Sequence, residues 1–372
     1  MISRTVFALK LATTIAFSFL LLESLLLVFN DTVFHSSFVI YDLEMGFRVR
    51  PYMRNSNRFG FNDRDYPLQP IPGTYRIAIL GDSFNWTGGR TWNYTRFLEQ
   101  QFAESGSDPA IELINTGYPA TNTAEQLRLL KRFVLQYNPH LLLLGFFVGN
   151  DFVEADPWRR RIAFGGATTD IDLRNGKEWM FWNQPLLFRS RAMLLIRNRL
   201  LEYQNRGKGR KASLEMSRQR YLKLEFGRMQ FANLNRSKQF GAHQNLVLNS
   251  LKEMKAVCMR QGIEFIVVAF PDEFQVDPSL RAAVWRHYRE NPQDYCVDRG
   301  QKLIEEFCAR EKIDFWDLLP IFEEAHQTGQ KLYLPNNSHW NKDGNRLAAR
   351  ELFSRVVTWL EDSGRDDRAT FE

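Results

Sequence analysis

Cysteine is scarce in this chain of 372 residues, which contains Cys258, Cys296 and Cys308 and no other. The three form no Cys-x-x-Cys pair, which argues against a zinc ribbon or a dense disulfide framework. We expect them to be buried thiols, with a Cys296–Cys308 bridge as the alternative outside the cytosol. Histidine is also scarce, with six residues. Because they form no metal-ligand cluster, we expect neither a metal nor a cofactor.

Apolar runs long enough to cross a membrane are also rare, and one of them lies at the start of the chain. Residues 11–29 match the ~20 residues that span a bilayer. Arg4 and Lys10 precede this run, and no small-residue cleavage site follows it. We predict an uncleaved single-pass anchor over 1–30, with the N-terminus inside and the remainder outside the cytoplasm, facing the periplasm. Glu23 is costly at this depth and is interpreted either as protonated or helix-paired near the outer third, or as contacting another membrane protein.

Short apolar runs alternate with helical patterns along most of the remaining chain. Strands are predicted over 75–80, 111–114, 141–147, 263–270 and 313–316, and helices over 91–105, 123–136, 245–261, 298–311 and 343–361. This alternation is typical of an α/β fold with a doubly wound, mostly parallel sheet flanked by helices. The predicted main domain covers 75–361. Residues 31–74 read as a connector that packs on it, and 362–372 as a polar tail.

A basic helical insertion interrupts the alternation over about residues 152–240. Within it, residues 159–228 contain seventeen Arg and Lys against six Asp and Glu, whereas the whole chain has a net charge of +6. Residues 185–205 have the pattern of an amphipathic basic helix. Its basic face is interpreted as solvated, as lying on anionic lipid headgroups, or as guiding an anionic polymer. Nucleic acid is not expected as a partner on the outer side of a membrane.

A serine follows the first predicted strand directly, in Gly-Asp-Ser (81–83). This tight turn would place Ser83 at the carboxyl edge of a parallel sheet, where open α/β sheets bind ligands. A serine hydroxyl is a weak nucleophile and needs a nearby base. Among the histidines, His339 in Ser-His-Trp-Asn (338–341) has a comparable setting, just before the last predicted helix. Ser83 and His339 are therefore the predicted nucleophile and base.

Two more polar turns follow apolar strands. Glu-Leu-Ile-Asn-Thr-Gly ends in Gly117, and the Leu-rich run from 141 leads to Asn150. Acyl transfer needs hydrogen-bond donors aimed at the oxyanion of the tetrahedral intermediate. The Gly117 N–H, the Asn150 amide and the Ser83 N–H could supply them, and these three residues form the predicted oxyanion hole.

With these four residues in this order, the chain resembles the SGNH (GDSL-like) hydrolase superfamily, and in particular its membrane-anchored bacterial members. The resemblance extends over about residues 70–360 and implies the corresponding fold, an ester chemistry and no cofactor. It departs from the family at one position. The aspartate usual three residues before the histidine is Asn336 here, followed by Asn337. The residue that orients His339 is thus left open between Asn336, Asp317 and none at all.

The resemblance implies a membrane-anchored serine esterase that acts on acyl groups, with acetyl groups favoured, of a small molecule or a glycan outside the cytoplasm. A cell-envelope polysaccharide O-acetyltransferase with the same residues is the first alternative. A catalytically degenerate glycan-binding or assembly protein is the second, because Asn336 replaces a carboxylate. A membrane protein partner is an open expectation that rests on Glu23.

Overall fold

The computed structural model describes residues 4–29, 33, 38–107, 109–164, 167–172, 190–193, 195–196 and 216–362. The chain divides into two compact units. The smaller consists of Met1–Arg50 and Trp158–Ser213, and the larger of Pro51–Pro157 and Leu214–Glu372. The predicted connector 31–74 is therefore divided between the two units. Cys258, Cys296 and Cys308 are free thiols.

The described strands follow one another along both units. In chain order they are β1 (Val39–Asp42), β2 (Gly46–Val49), β3 (Thr74–Leu80), β4 (Ala110–Asn115), β5 (Leu141–Phe147), β6 (Arg159–Phe164), β7 (Ala167–Asp172), β8 (Glu264–Phe270) and β9 (Asp314–Asp317). Five of them form the central sheet of the larger unit, in the order β4-β3-β5-β8-β9. Every neighbouring pair in that sheet is parallel, so the predicted parallel sheet is confirmed.

The described α-helices connect these strands. In chain order they are α1 (Arg4–Val28), α2 (Gly89–Trp92), α3 (Tyr94–Ser105), α4 (Thr123–Arg132), α5 (Asp151–Glu154), α6 (Arg218–Met229), α7 (Gly241–Arg260), α8 (Glu273–Val276), α9 (Pro278–Tyr288), α10 (Arg299–Glu311), α11 (Leu319–Gln327) and α12 (Lys342–Asp362). Asparagine residues cap the N-termini of two of these helices. The Asn93 side chain accepts from the Thr95 N–H, and Asn122 forms a capping box with Glu125.

Both faces of the central sheet are buried. Ile79 of β3, Leu143 of β5 and Val268 of β8 share one hydrophobic core with α3 and α12. The alternate residues of the same strands, such as Leu142 and Val267, are also fully buried. Because successive side chains point to opposite faces of a strand, the sheet must be covered on both sides. This explains why its strands read as continuous apolar runs.

The smaller unit contains two antiparallel hairpins, β1–β2 and β6–β7. The hairpins pack together closely at Gly46, where an added Cβ would lie 2.1 Å from the Arg161 carbonyl oxygen. The prediction of a helical insertion over about 152–240 was wrong for Arg159–Phe164 and Ala167–Asp172, because these residues form the antiparallel strands β6 and β7. The predicted basic helix over 185–205 lies outside the described residues apart from 190–193 and 195–196.

Helix α1 is the apolar element of the smaller unit. It has 25 residues and a mean hydropathy of 2.1 in its most apolar window, so it is long and apolar enough to cross a membrane. The Glu23 carboxylate on this helix accepts hydrogen bonds from the Ser190 hydroxyl and from the backbone N–H groups of Arg191 (3.0 Å) and Ala192 (3.1 Å). Glu23 is therefore paired within the chain, as the first of its two interpretations proposed.

Candidate active site

Ser83 lies just beyond the carboxyl end of β3. Gly81, Asp82 and Ser83 turn the chain into a short 3₁₀ helix over Ser83–Asn85. The Asp82 side chain stabilises this turn, because its Oδ1 accepts the Phe84 N–H at 2.9 Å. The half-buried Ser83 hydroxyl is thereby held at the edge of the sheet, where the sequence predicted it.

His339 reaches the same edge from a closed loop before α12. Tyr333 and Trp340 form an isolated antiparallel bridge across this loop, and the Leu334 N–H donates to the His339 carbonyl at 2.9 Å. The fully buried Trp340 ring packs 4.8 Å from the Phe84 ring, beside the serine turn. His339 Nε2 lies 2.7 Å from Ser83 Oγ, a separation of 256 residues along the chain. The structure thus brings the predicted nucleophile and base together.

Asn337 fixes the orientation and the protonation of the imidazole. Its Oδ1 accepts the backbone N–H of His339 at 3.1 Å and lies 2.6 Å from His339 Nδ1. A backbone N–H can only donate, so the atom it faces must be the amide oxygen. Since that oxygen can only accept, Nδ1 carries the ring proton. Nε2 then presents its lone pair to Ser83 Oγ, which is the arrangement a general base requires.

The two predicted orienting residues lie elsewhere. Asn336 adopts a left-handed conformation (φ 45°), and its Oδ1 accepts from the Arg218 guanidinium at 3.4 Å. Asp317 Oδ1 accepts the Leu319 N–H at 2.9 Å, at the start of α11. The side chain that lies at His339 Nδ1 is instead that of Asn337, one position after Asn336. Asn336 is turned away by its backbone, whereas the buried Asn337 side chain points back at the ring.

His339 is neutral over a wide pH range. Burial, followed by the nearby Arg228 guanidinium, lowers the pKa of His339 from 6.5 to about 4. A buried asparagine oxygen offers no negative charge that would offset these two effects. The imidazole is therefore ready to accept the Ser83 proton at neutral pH.

Arg228 belongs to a buried charged cluster that the sequence did not reveal. Its guanidinium lies 3.4 Å from both Glu225 Oε1 and Asp272 Oδ2, and 5.0 Å from the centre of the Phe147 ring. Burial raises the pKa of both carboxyl groups. Asp272 lies two residues after the end of the apolar strand β8, and this position was the signal that could have identified it. Arg228 was instead counted only in the basic excess of residues 159–228.

The three predicted oxyanion donors differ in whether their N–H groups already have a hydrogen-bond acceptor. The Ser83 N–H has no acceptor among the residues that the structure describes. Asn150 Nδ2 donates one hydrogen to Asp82 Oδ2 at 3.1 Å, which leaves its second hydrogen available beside the serine turn. The Gly117 N–H instead donates to Asn115 Oδ1 at 3.2 Å. Ser83 and Asn150 therefore each keep one N–H donor without an acceptor among the described residues, whereas the Gly117 N–H is engaged.

An asparagine network lies directly behind the serine turn. Asn85 Nδ2 donates to Asn115 Oδ1 at 3.0 Å, and the Tyr94 hydroxyl donates to Asn85 Oδ1 at 2.8 Å. An added Cβ at Gly117 would lie 2.4 Å from Asn85 Cβ, and one at Gly81 would lie 2.4 Å from Asn85 Oδ1. Glycine is therefore required at both positions, because Asn85 lies so close to them. The sequence analysis did not identify this role of Asn85.

The lowered pKa of His339 predicts the pH dependence of catalysis. The free-enzyme parameter kcat/KM requires neutral His339, so it should stay constant from pH 8 downward and fall to half near pH 4. Initial rates of ester cleavage, measured after brief transfer to each pH, test this. Arg228→Gln should move the midpoint upward toward 6.5, whereas Arg228→Lys, which keeps the charge, should not. A wild-type midpoint near 6.5 would contradict the environment described for His339.

Comparison with known proteins relates the C-terminal part of the chain to a family model. Residues 231–370 match the family model of the SGNH hydrolase-like domain, acetyltransferase AlgX. No curated protein sequence matches the chain.

Several solved structures are similar over most of their length. The acetyl xylan esterase AlAXEase shares 15% identity over 76% of this chain and 99% of its own, with a TM-score of 0.44. A putative GDSL-like lipase from Parabacteroides merdae shares 12% identity over 79% of this chain and 98% of its own (TM-score 0.42). A catalytic mutant of an acetylxylan esterase from Geobacillus stearothermophilus shares 10% identity over 81% of this chain and 97% of its own (TM-score 0.40).

The family match includes His339, Asn337 and the strands β8 and β9, whereas Ser83 lies outside it. It supports an acyl esterase or an acetyltransferase. The predicted resemblance to the SGNH hydrolases is thereby confirmed over residues 231–370, which match the SGNH hydrolase-like domain model.

Proposed function

We propose that this protein is a membrane-anchored serine enzyme that cleaves acyl esters, acetyl esters above all, outside the cytoplasm. One observation carries the proposal. Ser83 Oγ lies 2.7 Å from His339 Nε2, and Asn337 Oδ1 holds the opposite ring nitrogen in its protonated form. A serine that only capped a helix would need neither a base at hydrogen-bond distance nor a fixed tautomer on that base.

The proposed reaction has two steps. His339 Nε2 takes the Ser83 proton while Oγ attacks the ester carbonyl, and the Ser83 N–H and the Asn150 amide stabilise the oxyanion. The imidazolium then gives its proton to the departing alcohol, and an acyl-Ser83 ester remains. In the second step His339 activates water, which releases the carboxylic acid and restores the serine.

Transfer to a sugar hydroxyl is the second candidate. The observation that favours it is the match of residues 231–370 to a family named for an acetyltransferase. The same residues serve this reaction if a glycan hydroxyl replaces water in the second step. The third candidate is a non-catalytic glycan-binding protein. The short Ser83–His339 contact argues against it. The uncharged Asn337 beside His339 argues for it, because an amide cannot supply the negative charge of the usual aspartate.

Location outside the cytoplasm follows from α1 as proposed anchor. Its length, about 37 Å at 1.5 Å per residue, exceeds the ~30 Å hydrocarbon core of a bilayer. Arg4 and Lys10 are the basic residues that would keep the N-terminus inside. Protease treatment of intact and of opened cells that express the full chain tests this. Digestion of the larger unit only after the cytoplasm is opened would contradict it.

Labelling by a fluorophosphonate probe tests the nucleophile without knowledge of the substrate. We expect the full-length protein in detergent to be labelled on Ser83, because His339 makes this hydroxyl nucleophilic. Mass spectrometry of the tryptic peptide identifies the site, and His339→Gln should slow labelling strongly. Repeated failure to label the folded wild-type protein would favour the non-catalytic candidate.

The partition of the acyl-enzyme separates hydrolysis from transfer. Candidate glycans are added during turnover of p-nitrophenyl acetate, and free acetate and acetylated sugar are measured together. Transfer predicts that acetylated sugar accumulates at the expense of acetate. If acetate release is unchanged at every glycan concentration, transfer to those acceptors is excluded and hydrolysis remains.

A further inference from the structure

The Asp82 carboxyl group contacts both sides of the proposed oxyanion hole. It belongs to a buried side chain. Its Oδ1 accepts the Phe84 N–H at 2.9 Å, which fixes the turn that carries the Ser83 N–H. Its Oδ2 accepts a hydrogen from Asn150 Nδ2 at 3.1 Å. One buried carboxyl group therefore connects the nucleophile turn with the amide that follows β5.

The Asn150 amide has a nitrogen end and an oxygen end of nearly the same size. Packing alone therefore does not decide which end faces the serine turn. Asn150 Oδ1 is buried without a hydrogen-bond partner among the described residues, so it does not fix the orientation either. Asp82 Oδ2 is an acceptor, and only the nitrogen end of the amide can donate to it. Within the described part of the chain, this hydrogen bond is what distinguishes the two orientations.

We propose that Asp82 is a positioning residue of the oxyanion hole, which acts through Asn150 by keeping its NH₂ group, and not its carbonyl oxygen, beside Ser83. The inference rests on the proposed function, since it gives Asn150 a role in ester cleavage. In the reversed orientation an amide oxygen would face the negative charge of the tetrahedral intermediate, and one donor would be lost. In this role Asp82 neither takes nor gives a proton.

Asp82→Asn separates this role from support of the turn. A backbone N–H can only donate, so the new amide oxygen stays on the Phe84 N–H and the new NH₂ group faces Asn150. Because an NH₂ group does not accept, Asn150 turns its oxygen toward it. We expect kcat for p-nitrophenyl acetate to fall about 10²-fold, the usual cost of one oxyanion donor, while KM changes little.

A double-mutant cycle on the full-length protein in detergent shows whether Asp82 acts through Asn150. Asn150→Ala alone should also lower kcat about 10²-fold. Adding Asp82→Asn to this variant should lower kcat by less than about threefold further, because the donor is already absent. A role confined to the turn would instead lower kcat by the same factor in both backgrounds.

Asp317→Asn is the matched control. Asp317 Oδ1 also accepts a backbone N–H two residues ahead, that of Leu319 at 2.9 Å, but at the start of α11. This variant should keep the wild-type kcat. Circular dichroism and the thermal midpoint check folding. Asp82→Ser replaces Asp82→Asn in the cycle if the latter does not fold, because serine keeps an oxygen for the Phe84 N–H and leaves Asn150 without its acceptor.

The wild-type protein distinguishes failure of this inference from failure of the proposed function. A wild type that neither cleaves the ester nor reacts with the fluorophosphonate probe removes the proposed function, and the inference falls with it. With an active wild type, the inference alone is overturned by either of two results. One is that Asn150→Ala or Asp82→Asn keeps the wild-type kcat. The other is that Asp82→Asn costs as much in the Asn150→Ala background as in the wild type.

Discussion

Ser83→Ala is expected to lower kcat for acyl-ester cleavage by about 10⁶-fold, the loss typical of a serine enzyme without its nucleophile. Without the hydroxyl, His339 has no proton to remove and no acyl-enzyme can form. The substitution takes away one partly buried oxygen and adds nothing, so we expect the fold to be retained. Turnover of p-nitrophenyl acetate by the full-length protein in detergent measures the effect.

Ser105→Ala is the matched control for this variant. Ser105 is an exposed serine at the end of α3 whose hydroxyl donates to the Phe102 carbonyl at 2.9 Å. Its loss should leave kcat within twofold or so, since surface changes of this kind are usually close to neutral. If Ser83→Ala keeps a tenth of the wild-type rate, the reaction uses another nucleophile and the assignment of Ser83 fails.

The central sheet was predictable because a parallel strand that is buried on both faces appears in the sequence as a continuous apolar run. Residues 141–147 were predicted as a strand and form β5 over Leu141–Phe147. The helix predicted over 123–136 is shorter, since α4 ends at Arg132 and a 3₁₀ turn follows over Val134–Tyr137. Such ends depend on local capping, which apolar periodicity does not record.

The placement of Ser83 beside His339 was predictable in part. Ser83 follows β3 at the carboxyl edge of the sheet, where open α/β sheets bind ligands. His339 does not follow a strand directly but lies in the loop between α11 and α12, so its place at this edge was predicted from the order of the family-like motifs. Arg228 could not be found in this way. It lies on α6 within the insertion and packs on Phe147 beside Asp272, and nothing in a run of basic residues distinguishes the one that is buried.

Asn336 and Asn337 show the limit of spacing arguments. The usual family spacing favoured Asn336, and both are asparagines in one loop. The choice between them depends on the left-handed backbone of Asn336, which alters the direction of the next side chain. That conformation is accessible to asparagine but not required by it, so the sequence left the orienting residue undecided.

Asn337→Leu is expected to lower kcat by up to about 10⁴-fold, the cost known for an imidazole held in the wrong tautomer. Leucine has a similar size and suits this buried position, but it offers no acceptor to His339 Nδ1. The ring proton can then move to Nε2, where it blocks transfer from Ser83. Kinetics with p-nitrophenyl acetate, together with circular dichroism as a check of folding, measures the loss.

Asn336→Gly is the matched control, because glycine adopts the same left-handed conformation without strain and removes only the neighbouring amide. Its rate should stay near that of the wild type. Asn337→Asp should instead raise both kcat and the pKa of His339, since a carboxylate in place of the amide stabilises the imidazolium that forms during attack. If Asn336→Gly lost the activity and Asn337→Leu kept it, the orienting role would return to Asn336. If both variants were fully active, Ser83 and His339 would form a dyad that needs no orienting side chain.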